Sequence, residues 1–177
     1  MVEATKLFAR QGYHKTTVAD IASAIGMTQG ALFHHFANKQ VLLEAVVDRL
    51  ARGLDAYRAL LSEGPRAGTV ERVVHLMTEH FNNQPEATVC LAALATEFAG
   101  TDDPILQKIR EVYDLFVGPF EATLRNHPAV TDPRAAAIAF IGAAQGVAIQ
   151  GLLREGNPSL DDLSRAFLSL LNLPARW

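Results

Sequence analysis

The chain has 177 residues, of which 49% are hydrophobic and 20% charged, and this composition excludes a disordered or fibrous protein and suits a soluble globular one. The net charge of −3 is unevenly spread: residues 1–50 carry five basic and four acidic side chains, and the remainder carries eleven and fifteen. The single cysteine, Cys90, excludes an internal disulfide, and the first residues lack the basic start and apolar run of a secretory signal, so we expect a cytoplasmic protein.

The pattern predicts helix nearly throughout, since apolar residues recur every three or four positions and no stretch alternates at period two. A first helix is expected to end near Gly12, which can adopt the positive φ of a C-terminal cap. Thr17 and Asp20 have capping-box spacing and open a short second helix that stops at Gly26. Thr28 then starts a third helix.

Longer helices are predicted for the rest of the chain. Asn38 is expected to cap a helix over residues 39–62, and residues 62–69 (SEGPRAGT) are the best loop candidate. Five further helices follow, in the segments VERVVHLMTEHFNNQ, EATVCLAALATEFAG, DDPILQKIREVYDLFVGPFEATLRNH, PRAAAIAFIGAAQGVAIQGLLREG and SLDDLSRAFLSLLNL. This makes about nine helices.

Local signals refine three of these helices. Asp132, directly before Pro133, is expected to cap one helix, and the capping-box pair Ser159 and Asp162 is expected to open the last one. Gly118-Pro119 falls inside a helical pattern, where it predicts a kink.

Residues 135–153 contain no charge over nineteen positions, which reaches the length of a membrane-spanning helix. However, Ala and Gly dominate the segment, Gln145 and Gln150 interrupt it, and no aromatic belt flanks it. We therefore expect a buried or subunit-facing helix rather than a membrane span. Its small residues would let another helix approach closely; they are Gly142, Ala143, Gly146 and Gly151.

The second and third helices, with the turn GMT between them, form a helix-turn-helix pattern. Its inward side is predicted to comprise Val18, Ile21, Ala22, Ile25, Met27, Leu32 and Phe36. The side left facing outward then comprises Thr28, Gln29, Gly30, Phe33 and His34. An exposed phenylalanine and histidine on a short helix indicate a binding surface.

These outward residue types suit duplex DNA. Gln29 can make two hydrogen bonds to adenine, and Thr28 offers a hydroxyl and a methyl group to thymine. Gly30 allows the backbone to approach a DNA surface closely. His35, Lys39 and the amides that open the next helix suit phosphate.

Simpler interpretations of the same residues stay open. His34 and His35 are neighbours on a helix and cannot share a metal ion by themselves, and no cysteine or Glu-x-x-His partner lies nearby, so no metal or cofactor is expected. Packing in the core is as good an account of His35 as phosphate contact. Phe33 could also be a core residue, because helix-turn-helix patterns carry false positives.

The segment LFARQGYHKTTVADIASAIGMTQGALFHHFANKQVLLEAV, residues 7–46, resembles the DNA-binding domain of the TetR family of one-component transcriptional regulators. The resemblance implies an all-α protein with an N-terminal helix-turn-helix domain (residues 1–46) joined by a long helix to a ligand-binding and dimerisation domain (residues 47–177). It implies a ligand-responsive regulator, above all a repressor, that binds a palindromic operator as a homodimer and is released by a small apolar or aromatic effector.

The resemblance also assigns roles by position. Thr17 and the cap of the second helix are then phosphate contacts, the five outward residues face the groove, and His35 and Lys39 anchor the DNA backbone. There are two departures. Phe33 stands where the family often has a tyrosine, so a hydroxyl contact is absent. The sequence also begins almost inside the first helix, so either a basic arm contact is lost or the native start lies upstream.

The C-terminal part is expected to carry sensing and dimerisation. Candidate effector-binding residues are Met77, His80, Phe81, Phe98, Tyr113 and Phe116, although each could be ordinary core. Candidate dimer contacts are Ala143, Val147, Phe167 and Leu171. Cys90, in a segment that resembles the Cys-Leu and Ala-x-Glu pattern of one branch of the family, is interpreted first as a small buried hydrophobe and second as a thiol sensor.

The sequence gives less support to other functions. Glu71, His75 and Glu79 are spaced for one helical stripe, which a solvated face explains more simply than a metal site. No Ser-His-Asp order, phosphate loop or Glu-x-x-His motif indicates an enzyme. A helical adaptor without sequence-specific DNA binding is the alternative, but it would not need the outward face of the third helix.

Overall fold

A computed structural model of the chain describes residues 1–53, 59, 69–125, 127–155 and 157–171. Nine helices and no strand lie within these residues, which confirms the predicted all-α fold. The helices are α1 (Val2–Lys15), α2 (Val18–Ala24), α3 (Gln29–His35), α4 (Lys39–Arg52), α5 (Thr69–Asn83), α6 (Pro85–Phe98), α7 (Ile105–Leu124), α8 (Pro133–Leu153) and α9 (Leu160–Leu171).

The chain forms two compact units, and each is assembled from separate stretches of sequence. The first unit comprises Met1–Asp55 with Glu86–Asp114, and the second comprises Ala56–Pro85 with Leu115–Trp177. In the first unit, α1 packs on α2 and α4, and α2 packs on α3. Its core is aliphatic and aromatic; the fully buried side chains include Phe8, Leu42, Leu43, Val46, Val47, Leu94, Phe98 and Ile105.

The predicted helix boundaries at the N-terminal end are confirmed. Gly12 adopts φ +79° and breaks the regular part of α1. Thr17 and Asp20 form the capping box, since Thr17 Oγ1 accepts the Asp20 amide at 3.1 Å and Asp20 Oδ2 accepts the Thr17 amide at 2.8 Å. Asn38 Oδ1 accepts the Val41 amide at 2.9 Å and so caps α4.

The fourth helix is shorter than predicted. It ends at Arg52, and Gly53 follows, its amide donating to the Arg49 carbonyl at 3.2 Å. Residues 54–58 and 60–62 of the predicted helix lie outside the described residues. Glycine has the poorest helix propensity after proline, which favours an end at this position. The predicted loop over residues 62–69 lies outside the described residues, apart from Thr69 at the start of α5.

The second unit is built from α5, α8, α9 and the later part of α7. Both α8 and α9 pack on α5 and on each other. The ring of Phe140 stacks on Phe120 at 4.4 Å between centroids and contacts Phe167 at 5.5 Å. The buried hydroxyls of Thr78 and Ser164 lie 2.7 Å apart and join α5 to α9. The residues of the predicted kink, Gly118 and Pro119, lie within α7, and they do not break the helix.

Two start signals in the second unit are confirmed. Asp132 Oδ1 accepts the Ala135 amide at 3.0 Å, with Pro133 in the first turn of α8. Ser159 Oγ accepts the Asp162 amide at 3.1 Å, and Asp162 Oδ2 accepts the Ser159 amide at 3.2 Å. The last two helices therefore begin where the sequence predicts.

Helix α8 has two apolar faces. One stripe is buried against the rest of the unit, and it comprises Ala137, Phe140, Ile141, Ala144, Ala148 and Gly151. By length and composition alone α8 could cross a membrane, and 33% of its most apolar window is buried. A regular buried stripe is the packing expected of a bundle helix. The remaining apolar surface of α8 is exposed, with Leu153 at 70%.

Candidate nucleic-acid interface

The turn between α2 and α3 brings the two short helices together. Gly26 adopts φ +68°, a conformation that residues with a side chain rarely adopt. The Met27 amide donates a hydrogen bond to the Ala22 carbonyl at 2.9 Å. Ile21, Ala22 and Leu32 are buried as predicted.

The predicted inward side is only partly correct. Val18 and Phe36 are half-buried, whereas Ile25 and Met27 are exposed, at 38% and 36%. The prediction was wrong for these last two because they lie in the turn itself, outside the helical spacing that brings the other positions to the core.

The outward side of α3 is exposed as predicted. Thr28, Gln29, Gly30 and His34 are all exposed, and a Cβ added at Gly30 would meet nothing within 4 Å. Phe33 is 41% exposed, so it is not a core residue. This short helix therefore presents hydrogen-bonding groups and an aromatic ring on a surface that packing inside this unit does not explain.

His34 and His35 are both exposed, which removes a packed role for His35. Within the described part of the chain, no group of three histidine, cysteine, aspartate or glutamate side chains could hold a metal ion. His75 and Glu79 approach to 3.6 Å on the exposed face of α5, as a solvated helical pair does.

Two of the predicted DNA contacts also hold helix ends. Thr28 Oγ1 accepts the Ala31 amide at 3.2 Å and caps α3, and Thr17 Oγ1 is engaged in the capping box of α2. Each hydroxyl keeps its own proton for a further hydrogen bond. The capped N-termini of α2 and α3 therefore lie next to threonine side chains on the exposed surface.

Lys39 lies against the end of α1, on a platform formed by Tyr13 and His14. Its Nζ atom is 4.0 Å from the centroid of the Tyr13 ring and donates to the His14 carbonyl oxygen at 3.3 Å. Burial lowers the pKa of Lys39, and the nearby Glu97 carboxylate offsets part of this effect. An ammonium group has three donors, so the bond to His14 leaves capacity for a phosphate oxygen.

Glu97, on α6, supports this platform by hydrogen bonds to its backbone. Its Oε2 atom accepts the Tyr13 amide at 2.7 Å, and its Oε1 atom accepts the His14 amide at 2.7 Å. The Tyr13 ring packs on Phe98 at 5.5 Å between centroids, and its hydroxyl donates to Gln40 at 3.2 Å. In the sequence Glu97 stands only in the Ala-x-Glu pattern, and helical spacing gives no signal for its contact with Tyr13, 84 positions away.

The candidate effector residues are divided between the two units. Met77, His80, Phe81 and Phe116 belong to the second unit, where Met77 is buried and the other three are half-buried. Burial lowers the pKa of His80. Tyr113 is half-buried and Phe98 is fully buried, and both belong to the first unit. Their role as a binding site stays a prediction.

The candidate dimer residues differ in exposure. Ala143 is exposed, Val147 is half-buried, and Phe167 is half-buried against Phe140. The side chain of Leu171 lies outside the described ones. The structure adds exposed apolar residues on the same two helices that the sequence analysis did not select: Ile138, Leu152, Leu153 and Leu170. Sequence alone gave no reason to choose them, since α8 is apolar on every side.

Paired short helices joined at Gly26, with α1 packed on α2, define a helix-turn-helix protein. Residues 1–46 match the family model described as bacterial regulatory proteins, tetR family. The chain is therefore similar to this family of regulatory proteins over its N-terminal 46 residues.

Individual relatives extend the likeness beyond residues 1–46. The chain is 28% identical over 177 residues to the HTH-type transcriptional repressor KstR2 of Rhodococcus jostii, covering 95% of this chain and 85% of that protein. It is 26% identical over 110 residues to the nucleoid occlusion factor SlmA of Actinobacillus pleuropneumoniae, covering 61% of this chain. The match spans about half the length of that relative, 54%. The structure of the MbdR regulator from Azoarcus sp. CIB shares the fold, with a TM-score of 0.81 over 95% of this chain and 92% of that chain at 21% identity.

Proposed function

We propose that the protein is a ligand-responsive transcriptional regulator, a repressor that binds a palindromic operator as a homodimer in the cytoplasm. The observation that carries this proposal is the exposed face of α3, which presents Thr28, Gln29, Phe33 and His34 around an open Gly30. A surface of this composition on the second helix of a helix-turn-helix unit suits the major groove of DNA. The match of residues 1–46 to a family model of bacterial regulatory proteins supports the same conclusion.

The proposed DNA contacts are of two kinds, those to base edges and those to backbone phosphates. Gln29 and Thr28 read base edges, while Phe33 and the methyl group of Thr28 contact thymine methyl groups. Lys39, His35 and the capped N-terminus of α2 at Thr17 bind phosphates, which fix the register without reading sequence. Lys39 fits the anchoring role because its ammonium group is already held over Tyr13 and loses little freedom on binding.

The homodimer is proposed to form through α8 and α9. Exposed apolar and small side chains on these helices, with Ala143 among them, leave a surface that a second copy can cover. Val147, Phe167 and Leu171 complete the proposed contact. This pairing gives a use for the second apolar face of α8 without a membrane.

The proposed effector is a small apolar or aromatic molecule, and its candidate binding residues are those that the sequence predicts: Met77, His80, Phe81, Phe98, Tyr113 and Phe116. Phe98 is relevant to release because its ring also contacts Tyr13 in the helix-turn-helix head. An effector that favours the DNA-free form weakens DNA binding, and DNA weakens effector binding by the same factor, typically about 1–3 kcal/mol of coupling.

Selection from random duplexes with the full chain tests the DNA assignment, and an enriched palindrome is the expected result. Gln29→Ala should change preference at one or two base pairs by about 1–3 kcal/mol, whereas Lys39→Ala should weaken all duplexes and lower the salt slope by about 1. Gln107→Ala and Arg110→Ala, both exposed on α7, are the matched controls. Failure to enrich any palindrome would favour the adaptor interpretation.

A further inference from the structure

The contacts of Glu97 and Lys39 converge on the same two residues. Glu97 holds the backbone amides of Tyr13 and His14, both at 2.7 Å. Lys39 contacts the ring of Tyr13 and the carbonyl oxygen of His14. The carboxylate therefore fixes the segment on which the ammonium group rests, although the two side chains lie on different helices.

Gly12 makes this arrangement possible. At φ +79° Gly12 interrupts the regular turns of α1, and the next two amides, those of Tyr13 and His14, both donate to the Glu97 carboxylate. A Cβ at Gly12 would lie 2.9 Å from Glu97 Oε2, so a larger residue would displace the carboxylate as well as strain the backbone.

The side chain of Glu97 is well suited to this role. It is 20% exposed, and two charge-assisted hydrogen bonds to backbone amides are about twice as strong as neutral ones. Phe98, the next residue on α6, is fully buried against Tyr13, so both the polar and the apolar support of the platform come from the end of α6.

We propose that Glu97 is a positioning residue for DNA binding: by holding the Tyr13 and His14 amides it places the Lys39 ammonium group for a phosphate, and the end of α6 thereby controls one DNA backbone contact. This inference rests on the proposed DNA-binding function. It assigns to α6, which lies outside the helix-turn-helix sequence, a direct part in the geometry of the interface.

The direction in which Glu97→Gln changes DNA affinity distinguishes a positioning role from a simple effect of charge. Replacing a glutamate with glutamine removes a negative charge, and charge alone would strengthen DNA binding. Positioning predicts the opposite, because a glutamine amide has one oxygen and presents an N–H₂ group to the second backbone amide. Glu86→Gln, the same change at the other end of α6, is the matched control and should bind as wild type or slightly more tightly.

The test is a salt series of dissociation constants on the selected operator, with wild type, Glu97→Gln, Lys39→Ala and the double variant. Glu97→Gln should bind about tenfold more weakly, the loss typical of one hydrogen bond to a charged group. Its salt slope should fall by about 1, as for Lys39→Ala. The double variant should lose no more than the Lys39→Ala variant, because both changes remove the same phosphate contact.

Gly12→Ala provides a second variant that keeps the net charge, displaces the carboxylate and should show the same reduced slope; it carries the test if Glu97→Gln does not fold. A wild-type slope in Glu97→Gln or Gly12→Ala, or additive losses in the double variant, would overturn the inference while leaving the proposed function intact. A wild-type protein that selects no operator would refute both.

Discussion

Thr28 offers a sharp test of how α3, the proposed reading helix, is built. Its Oγ1 atom accepts the Ala31 amide at 3.2 Å, and α3 has only seven residues. So short a helix is not stable by itself and depends on its cap and on the packing of Leu32. Replacing a threonine cap with alanine costs about 1 kcal/mol. For a chain of this size we expect Thr28→Ala to lower the melting temperature by about 2–4 °C.

Thr28→Ser separates capping from base reading, because serine keeps the capping oxygen and lacks the methyl group. Its melting temperature, followed by circular dichroism, should match that of wild type, while preference for thymine at one operator position should fall. Thr96→Ala is the control, since the exposed Thr96 hydroxyl only bonds back to the Ala92 carbonyl within its own helix. If serine destabilised the protein as much as alanine, or if alanine had no effect, capping would not be the role of Thr28.

Three further predictions concern the rest of the chain. Cys90 is fully buried, and burial raises its pKa to about 12. A thiol reagent near pH 8 should therefore label Cys90 only after denaturation. Rapid labelling of the folded protein would contradict this burial. Burial lowers the pKa of His80 below its ordinary 6.5, so the unfolded chain takes up the proton first: stability is retained above pH 6.5 and falls as pH drops through the folded pKa. His80→Gln should flatten the fall in melting temperature between about pH 7.5 and about pH 5, and an unchanged pH profile would exclude His80 as its source. Ala143→Arg should give monomers by light scattering with an unchanged helical spectrum, whereas a persistent dimer would move the interface elsewhere.

Local signals in the sequence were enough to predict the helices. Capping pairs such as Thr17 with Asp20, and glycines at positive φ such as Gly12 and Gly26, act over three or four residues, and the structure confirms them. The end of α4 was missed because the apolar pattern continues past Gly53, so periodicity outweighed the glycine signal.

Contacts between distant segments could not be predicted in the same way. The exposed face of α3 followed from spacing within a single helix, and the structure bears it out. The hydrogen bonds from the Tyr13 and His14 amides to Glu97 depend on how α6 packs against α1, which no local sequence pattern predicts. The sequence also could not rank the apolar positions of α8 by exposure, because burial there depends on neighbouring helices and every side of the helix has similar residues.

The link from Glu97 to Gly12 and the two amides after it has a consequence for exchanging segments between this protein and similar ones. A DNA-reading head exchanged between relatives at residue 46 would leave its acidic support behind, since the carboxylate comes from position 97 of the recipient. Such a chimera should bind DNA about tenfold more weakly unless the recipient has an acid there and the incoming head has a glycine before its two amides. The two positions should therefore be inherited together, so that the transferable module is a discontinuous one.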